Sequence, residues 1–185
     1  MRAGKSIATL RLELIPATPS LLAADVARSA RLAEELGAVV PPDWPPSELA
    51  EVLPRLLSAL ERRPDLRGWW AYYWVASGEG RGPRTLIGSG GFHGRPDAEG
   101  CIEIGYGVLP DFQGRGYATE AVAALVAWAL RHRTVTMVFA NTGADNQPSI
   151  RLLERLGFLR AGIGAEPWTV RFEVDRRRFR RPMPR

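Results

Sequence analysis

The run Cys101-Ile-Glu-Ile-Gly-Tyr-Gly-Val-Leu-Pro-Asp-Phe-Gln-Gly-Arg-Gly-Tyr-Ala-Thr119, continuing into Glu120-Ala-Val-Ala-Ala-Leu-Val-Ala-Trp-Ala-Leu130, constrains the fold more than any other stretch. Ile102, Ile104, Tyr106 and Val108 alternate with Cys101, Glu103, Gly105 and Gly107, the period of two expected of a strand with one apolar face. Pro110 stops that ladder because it has no N–H to give. The glycines of Gln113-Gly-Arg-Gly-Tyr-Ala118 open backbone angles closed to other residues, so that successive N–H groups converge where a helix begins. A helix start carries about half a positive charge and unpaired amide donors, and a diphosphate placed there is held without lysine side chains. The stretch therefore reads as strand, anion-binding turn and buried helix.

A second block lies downstream at the spacing that one further strand and helix require: Asn146-Gln-Pro-Ser149-Ile-Arg-Leu-Leu-Glu-Arg-Leu-Gly-Phe158. Gln113-x-x-Gly116-x-Ala118 is similar to the acyl-CoA signature Q/R-x-x-G-x-G/A of the GNAT acetyltransferases, and the second block resembles that family's N-x-x-S…L-E-K-L-G-F segment. The wording Ile102-Glu-Ile-Gly-Tyr106 before the loop is most similar to the branch that acetylates ribosomal-protein N-termini. A glycine hexad alone is weak evidence, whereas two blocks in order are strong.

The resemblance implies an α+β fold with a mixed, mostly antiparallel central sheet flanked by helices on both faces. It also implies two adjacent parallel strands, here residues 101–108 and 134–141, that splay to admit a pantetheine arm. Acetyl-CoA is then the co-substrate and a primary amine the acceptor, either a protein or peptide α-amine or a small molecule. The family acts by direct attack in a ternary complex, without an acyl-enzyme; the alternative for such a chain is a non-catalytic or regulatory acyl-CoA-binding domain. On this pattern Gln113, Gly114, Arg115, Gly116, Tyr117 and Ala118 surround the diphosphate. Val108 offers backbone groups to the pantetheine, with Asn146 and Asn141 as further contacts. Glu103 is placed to take the amine proton, directly or through water, or else is a surface or ion-paired carboxylate; Ser149 donates to the departing thiolate or hydrogen-bonds the cofactor, or else helps cap its helix. The tyrosine that many relatives carry on the last helix as general acid is missing from residues 146–156. An α-amine with pKa about 8 costs about 1.4 kcal/mol to deprotonate at neutral pH, against about 4.6 kcal/mol for a lysine, and one carboxylate with a water suits the first better.

The 185 residues fit one domain, residues 1–175, followed by a basic tail, 176–185. Within residues 171–185 seven arginines stand against two acids, which accounts for the whole formal charge of +5. The high pI thus describes one end and not a face that tracks nucleic acid, although RNA binding by that tail is the third reading to weigh against a solvated terminus. The longest uncharged apolar run, residues 121–130, is too short to cross a bilayer, and no basic-then-apolar leader is evident, so the expectation is a soluble, cytoplasmic monomer or homodimer. One cysteine and two separated histidines give neither disulfide nor zinc site. Cys101 with His93 or His132 as a nucleophilic pair has little support, a lone cysteine at a strand start being more often a small apolar residue.

Elsewhere, residues 7–15 alternate as a first strand, and Thr18 or Ser20 caps one helix running to Leu36, with Leu22, Val26, Ala30 and Ala33 inward and Gly37 as its stop. Trp44, exposed in a proline-held loop, is the aromatic best placed to touch an acceptor or to anchor the loop. Ser47 caps a second helix that Pro54 kinks or splits. Residues 69–76 and 84–92 make a hairpin, with Trp69, Trp70, Trp74 and Tyr106 packing. Asn146 caps the helix that Gly157 ends, Phe158 packs behind it, and residues 169–174 form the last strand.

Overall fold

In the computed structural model, which describes residues 5–78 and 82–180, the chain opens with two strands where alternation predicts one. These are β1 (Ile7–Ala8) and β2 (Leu12–Pro16), an antiparallel pair with Ile7 opposite Leu14. Thr9 makes the turn: its amide donates to the Leu12 carbonyl, and its hydroxyl oxygen accepts from the Leu12 amide. A side chain that satisfies the backbone locally competes with a ladder, which is why the alternation does not survive it.

The expected single helix is likewise two, α1 (Pro19–Val26) and α2 (Arg31–Leu36), parted at Arg28, whose φ is +48°. Thr18 is the N-cap, accepting from the Leu21 amide, and Gly37 at φ +56° is the left-handed stop. The inward face differs from the expected stripe: Leu21, Leu22, Ala24 and Asp25 are buried, and Val26 is exposed. The reason is Asp25. Its carboxylate, fully buried, accepts from Trp44 Nε1 (3.0 Å) and Tyr73 Oη (2.9 Å). Trp44 is therefore buried and not exposed as its proline neighbours suggest; it is the loop anchor, one of its two expected roles, and it also lines an apolar cleft.

Helix α3 (Ser47–Arg62) runs straight through Pro54. Pro54 is exposed and Ala50, whose carbonyl loses its amide partner there, is half-buried; the helix continues past both, so the expected split does not occur. Nor does Ser47 cap it; the helix starts from Pro46 with no side-chain cap.

A 3-10 turn (Pro64–Leu66) takes the amides of Trp69 and Trp70, so β3 (Tyr72–Ala76) begins later than the aromatic run suggests. It pairs with β4 (Thr85–Phe92), which pairs with β5 (Cys101–Val108), all antiparallel. After a 3-10 turn (Pro110–Phe112), helix α4 (Tyr117–Leu130) crosses the sheet with nine of its residues buried. Then come β6 (Met137–Gly143), α5 (Gln147–Arg155), β7 (Leu159–Ile163) and β8 (Thr169–Asp175). Strand β6 starts three residues beyond the expected position because the amides of Val135 and Thr136 are used in turns to His132 and Gly100. No apolar alternation marks β7, an exposed edge strand that periodicity does not predict.

The sheet order is β1-β2-β3-β4-β5-β6-β8-β7, with β5–β6 the parallel pair. Two cores result, one on each face. Helices α1 to α3 cover Tyr73, Val75, Leu86 and Leu109, while α4 and α5 cover Trp74, Ile87, Phe92, Ile102, Ile104 and Val138. The first residues after β8 stay attached: the Arg176 guanidinium donates to the carbonyls of Leu130, His132 and Val135, and the Arg180 amide to that of Leu156. Residues 181–185, the rest of the expected tail, lie outside the described residues.

Asp25→Ala removes the acceptor of two buried donors, at about 1–3 kcal/mol for each group left unsatisfied. Asp25→Asn keeps an oxygen for Trp44 and lets the amide donate to the Tyr73 hydroxyl. Burial foremost raises the Asp25 carboxyl above its ordinary value, so its ionised form weakens the fold as pH rises through that raised value, a cost the amide does not bear. Denaturant midpoints are expected to fall steeply for the alanine variant and little for the asparagine one.

Candidate active site

The site is set by how β5 and β6 part. They pair for only three residues, Cys101 with Met137, Ile102 with Val138 and Glu103 with Phe139. Beyond that, β5 continues against β4 as far as Val108, and β6 against β8 as far as Gly143. Each strand is held on its outer side while the inner edges diverge, so a wedge opens from Glu103 outward.

At its wide end stands the glycine turn. Gly114 (φ +72°) and Gly116 (φ +80°) are both left-handed, and Gly116 is the N-cap of α4. A side chain would be strained at either position. Residues 113–116 are exposed, and the first turn-closing bond of α4 runs from the Glu120 amide to the Gly116 carbonyl. Amides before that point, such as those of Ala118 and Thr119, are not used by the helix.

Thr9 and Arg11, in the β1–β2 turn, brace this loop from about a hundred residues away. Arg11 Nη1 donates to the Arg115 carbonyl (3.0 Å), its Nε to Glu120 Oε2 (2.8 Å), and its guanidinium stacks 4.4 Å over the Tyr117 ring. Glu120 Oε1 also accepts from the Thr9 hydroxyl and the Arg11 amide. Burial opposes the Glu120 charge, but these bonds hold its carboxyl below the usual range. Gln113 folds back, its Nε2 donating to the Val108 carbonyl (2.9 Å).

Across the wedge, Asn146 caps α5 by accepting from the Ser149 amide. The Ser149 hydroxyl is not spent on that cap. It lies 2.8 Å from Tyr106 Oη on β5, a hydrogen bond that bridges strand and helix. Burial pushes the Tyr106 phenol up to about 12, so it is a neutral donor at ordinary pH. Tyr106, expected among the packing aromatics, thus also carries a polar link; the signal for it in the sequence is a tyrosine on the buried period of β5, whose hydroxyl needs a polar partner.

Glu103 sits at the crotch of the wedge. Its Oε1 accepts from Asn141 Nδ2 (2.8 Å) and its Oε2 faces His93 Nδ1 (3.2 Å). The bond from His93, then that from Asn141, hold the carboxyl below its ordinary value against the opposing effect of burial. Reciprocally, the Glu103 bond raises His93 despite partial desolvation. Asn141 is thus in mid-strand and joined to Glu103, its Oδ1 turned toward Gly164 without a hydrogen-bond partner among the described residues. Cys101 has its thiol raised, by burial first and by Asp97 next, and His132 packs between Trp69 and Trp128, so neither forms an activated nucleophile pair.

Two clefts meet here. One, of about 870 Å³, runs from the glycine loop along the wedge to α5 and is lined by all the expected loop and α5 positions except Arg115, and by Arg151 and Arg155 in addition. The other, about 740 Å³ and largely apolar, lies under α3 and is lined by Leu49, Val52, Leu53, Leu56, Trp70 and His93 among others. Both share Gly105, Tyr106 and Gly107 of β5. Gly107 has open space where a Cβ would stand, so the missing side chains help connect the clefts.

The acetyltransferase (GNAT) domain family matches residues 11–159 of the chain. An uncharacterised N-acetyltransferase of Bacillus subtilis, YjdG, is 32% identical over 151 residues, covering 82% of this chain and 88% of that protein. Among solved structures, an acetyltransferase of Agrobacterium tumefaciens superposes with a TM-score of 0.62 at 22% identity, covering 95% of this chain and 97% of its own. RimL, a ribosomal L7/L12 alpha-N-protein acetyltransferase solved with coenzyme A, superposes with the same TM-score, 0.62, at 19% identity, over 92% of this chain and 98% of its own.

A methyl group added at Gly105 falls 2.9 Å from His93 Nε2. Gly105→Ala is therefore expected to tilt the imidazole away from Glu103 and return its titration toward the ordinary histidine value, read from the His93 ring resonances by NMR.

Proposed function

The chain belongs to the GNAT acetyltransferase family, and we propose that it moves the acetyl group of acetyl-CoA directly to a primary amine in a ternary complex. The single observation that carries this reading is the meeting of the two clefts at Gly105, Tyr106 and Gly107. A long donor lying in the wedge and an acceptor entering under α3 reach the same three residues from opposite sides, with no covalent relay needed between them.

The residues present fit the donor. The Ala118 and Thr119 amides, beside the left-handed Gly114 and Gly116, face a diphosphate with the positive end of α4 behind them. Gln113, Arg115 and Tyr117 complete that loop, and Arg151 and Arg155 on α5 add positive charge along the same cleft. Val108 and Asn146 flank the pantetheine path; Asn141, bonded to Glu103, marks its inner end.

At the reacting end the Ser149 hydroxyl, aligned by Tyr106, stabilises the sulfur as it gains charge. Burial makes the Tyr106 phenol a weaker acid than an ordinary phenol, and weaker still than a thiol near about 8.5. The pair therefore serves as hydrogen-bond donor and not as the source of a transferred proton. The Glu103 carboxylate attracts the proton the amine sheds.

The acceptor most compatible with one carboxylate and an apolar cleft is an α-amino group of a peptide or protein, or a small amine with an apolar neighbour, in preference to lysine. The regulatory alternative, a domain that holds acyl-CoA and transfers nothing, differs in one result: tight coenzyme A binding with no product from any amine.

Titration calorimetry is expected to show coenzyme A binding, weakened about tenfold or more by Gly116→Val, which strains the left-handed turn. Turnover against peptide α-amines, lysine peptides and polyamines is expected to favour the first; activity confined to lysine side chains overturns that preference. Ser149→Ala is expected to lower kcat by about 10–100-fold, on the scale of losing a transition-state donor, with the KM for acetyl-CoA little changed.

A further inference from the structure

The proton leaving the acceptor nitrogen needs a receiver that touches the acceptor, and Glu103 is poorly placed for that. Each of its oxygens already accepts one bond, Oε1 from Asn141 and Oε2 from His93, and it lines neither cleft, whereas His93 lines the apolar one. Resting on the acetyl-transfer reading above, we propose that His93 is the catalytic base, taking the proton at Nε2, with Glu103 as the positioning residue behind it.

The geometry is that of a carboxylate-oriented imidazole. Nδ1 stands 3.2 Å from Glu103 Oε2, and since a carboxylate only accepts, the proton is on Nδ1 and the lone pair on Nε2. Nε2 then points away from Glu103. It lies over Gly105, near enough that a methyl there would fall 2.9 Å from it. Gly105 belongs to the segment common to both clefts, so the free nitrogen stands where the attacking amine must come. The ring is held at both ends of its short tether: the His93 amide donates to the Glu103 carbonyl, and its side chain bonds the carboxylate of the same residue.

Chemistry favours the imidazole as well. Moving a proton from an α-ammonium near about 8 to an ordinary imidazole near about 6.5 is unfavourable by about 30-fold, against about 5,000-fold to a carboxyl near about 4.3. The mutual bond raises the first acceptor and lowers the second, widening the difference. In the step itself, the ammonium gives one proton to Nε2 and its freed lone pair forms the C–N bond. The C–S bond breaks, with its electron pair going to sulfur. The nitrogen's second proton ends on that sulfur as the free thiol, and the imidazolium returns its own proton to water once the amide has left.

The charged groups facing this histidine are few and known. Glu103 on β5 is bonded to it, and Arg171 on β8 acts on Glu103 from beyond. Glu48 on α3 lines both clefts, and Arg55 lines the apolar one. Arg95, two residues on, turns to Asp65 and to the Trp69 ring.

The test is the pH dependence of kcat/KM for full-length wild type, His93→Gln and Glu103→Gln, using an unblocked dipeptide as acceptor, with coenzyme A affinity and thermal unfolding as controls. For wild type the rate is expected to rise with pH through a group titrating above the ordinary histidine value, the same value seen for His93 by NMR. Glu103→Gln is expected to move that limb to lower pH, which a purely structural carboxylate would not do. His93→Gln is expected to lower kcat by about 100-fold or more and to abolish the limb, while coenzyme A binds as before. If His93→Gln keeps kcat within about threefold of wild type with the limb unmoved, the assignment to His93 is overturned and the acetyl-transfer reading stands. If wild type binds coenzyme A yet acetylates no amine, both are overturned.

Discussion

The three-residue parallel pairing between β5 and β6 is the constraint on which the rest of the molecule depends. A sheet closes because unpaired N–H and C=O groups are costly when buried, so an opening in its middle must be compensated. Here the compensation is partly on the outer sides, where β4 holds β5 from Ile104 to Val108 and β8 holds β6 for its full length. It is partly local, since Gln113 reaches back to the Val108 carbonyl and the Tyr106–Ser149 bond ties strand to helix across the gap. The two independent cores, one beneath α1 to α3 and one beneath α4 and α5, keep the parted strands from collapsing onto one another.

The faces of β5 then divide the chemistry. Ile102 and Ile104 turn to α4 and are buried, which fixes the strand. On the opposite face stand Glu103, Gly105 and Gly107, a charged group followed by two positions with no side chain at all. That sequence of one polar residue and two absences makes a floor that a histidine from the neighbouring strand can lie across. Glycine in a strand weakens it, and at these two sites the loss is the condition for access.

Much of this was readable from local sequence. The strand, turn and helix from Cys101 to Leu130 were visible because period, breaker and cap agree there, and residues 169–174 alternate cleanly enough to mark β8. What local reading passed over depends on distant partners. The inward face of α1 follows from burying Asp25 for Trp44 and Tyr73, and nothing within the helix announces those donors. Strand β7 is an edge with no buried face, so it has no period to detect. Glu103, Ser149 and the loop residues were picked out individually, yet their partners His93 and Tyr106 were not, because a hydrogen bond across strands leaves no trace in spacing.

Arg11 and Glu120 join the second strand to the start of α4, and through Arg115 to the glycine loop itself. The loop's shape is consequently a property of chain closure as well as of its own six residues. During synthesis the hairpin emerges long before the loop, and only when both have met across the sheet do the turn amides acquire their final orientation. Occupancy of that turn would then report that the whole domain has finished folding, and a bound ligand would stabilise the completed topology over every partial one.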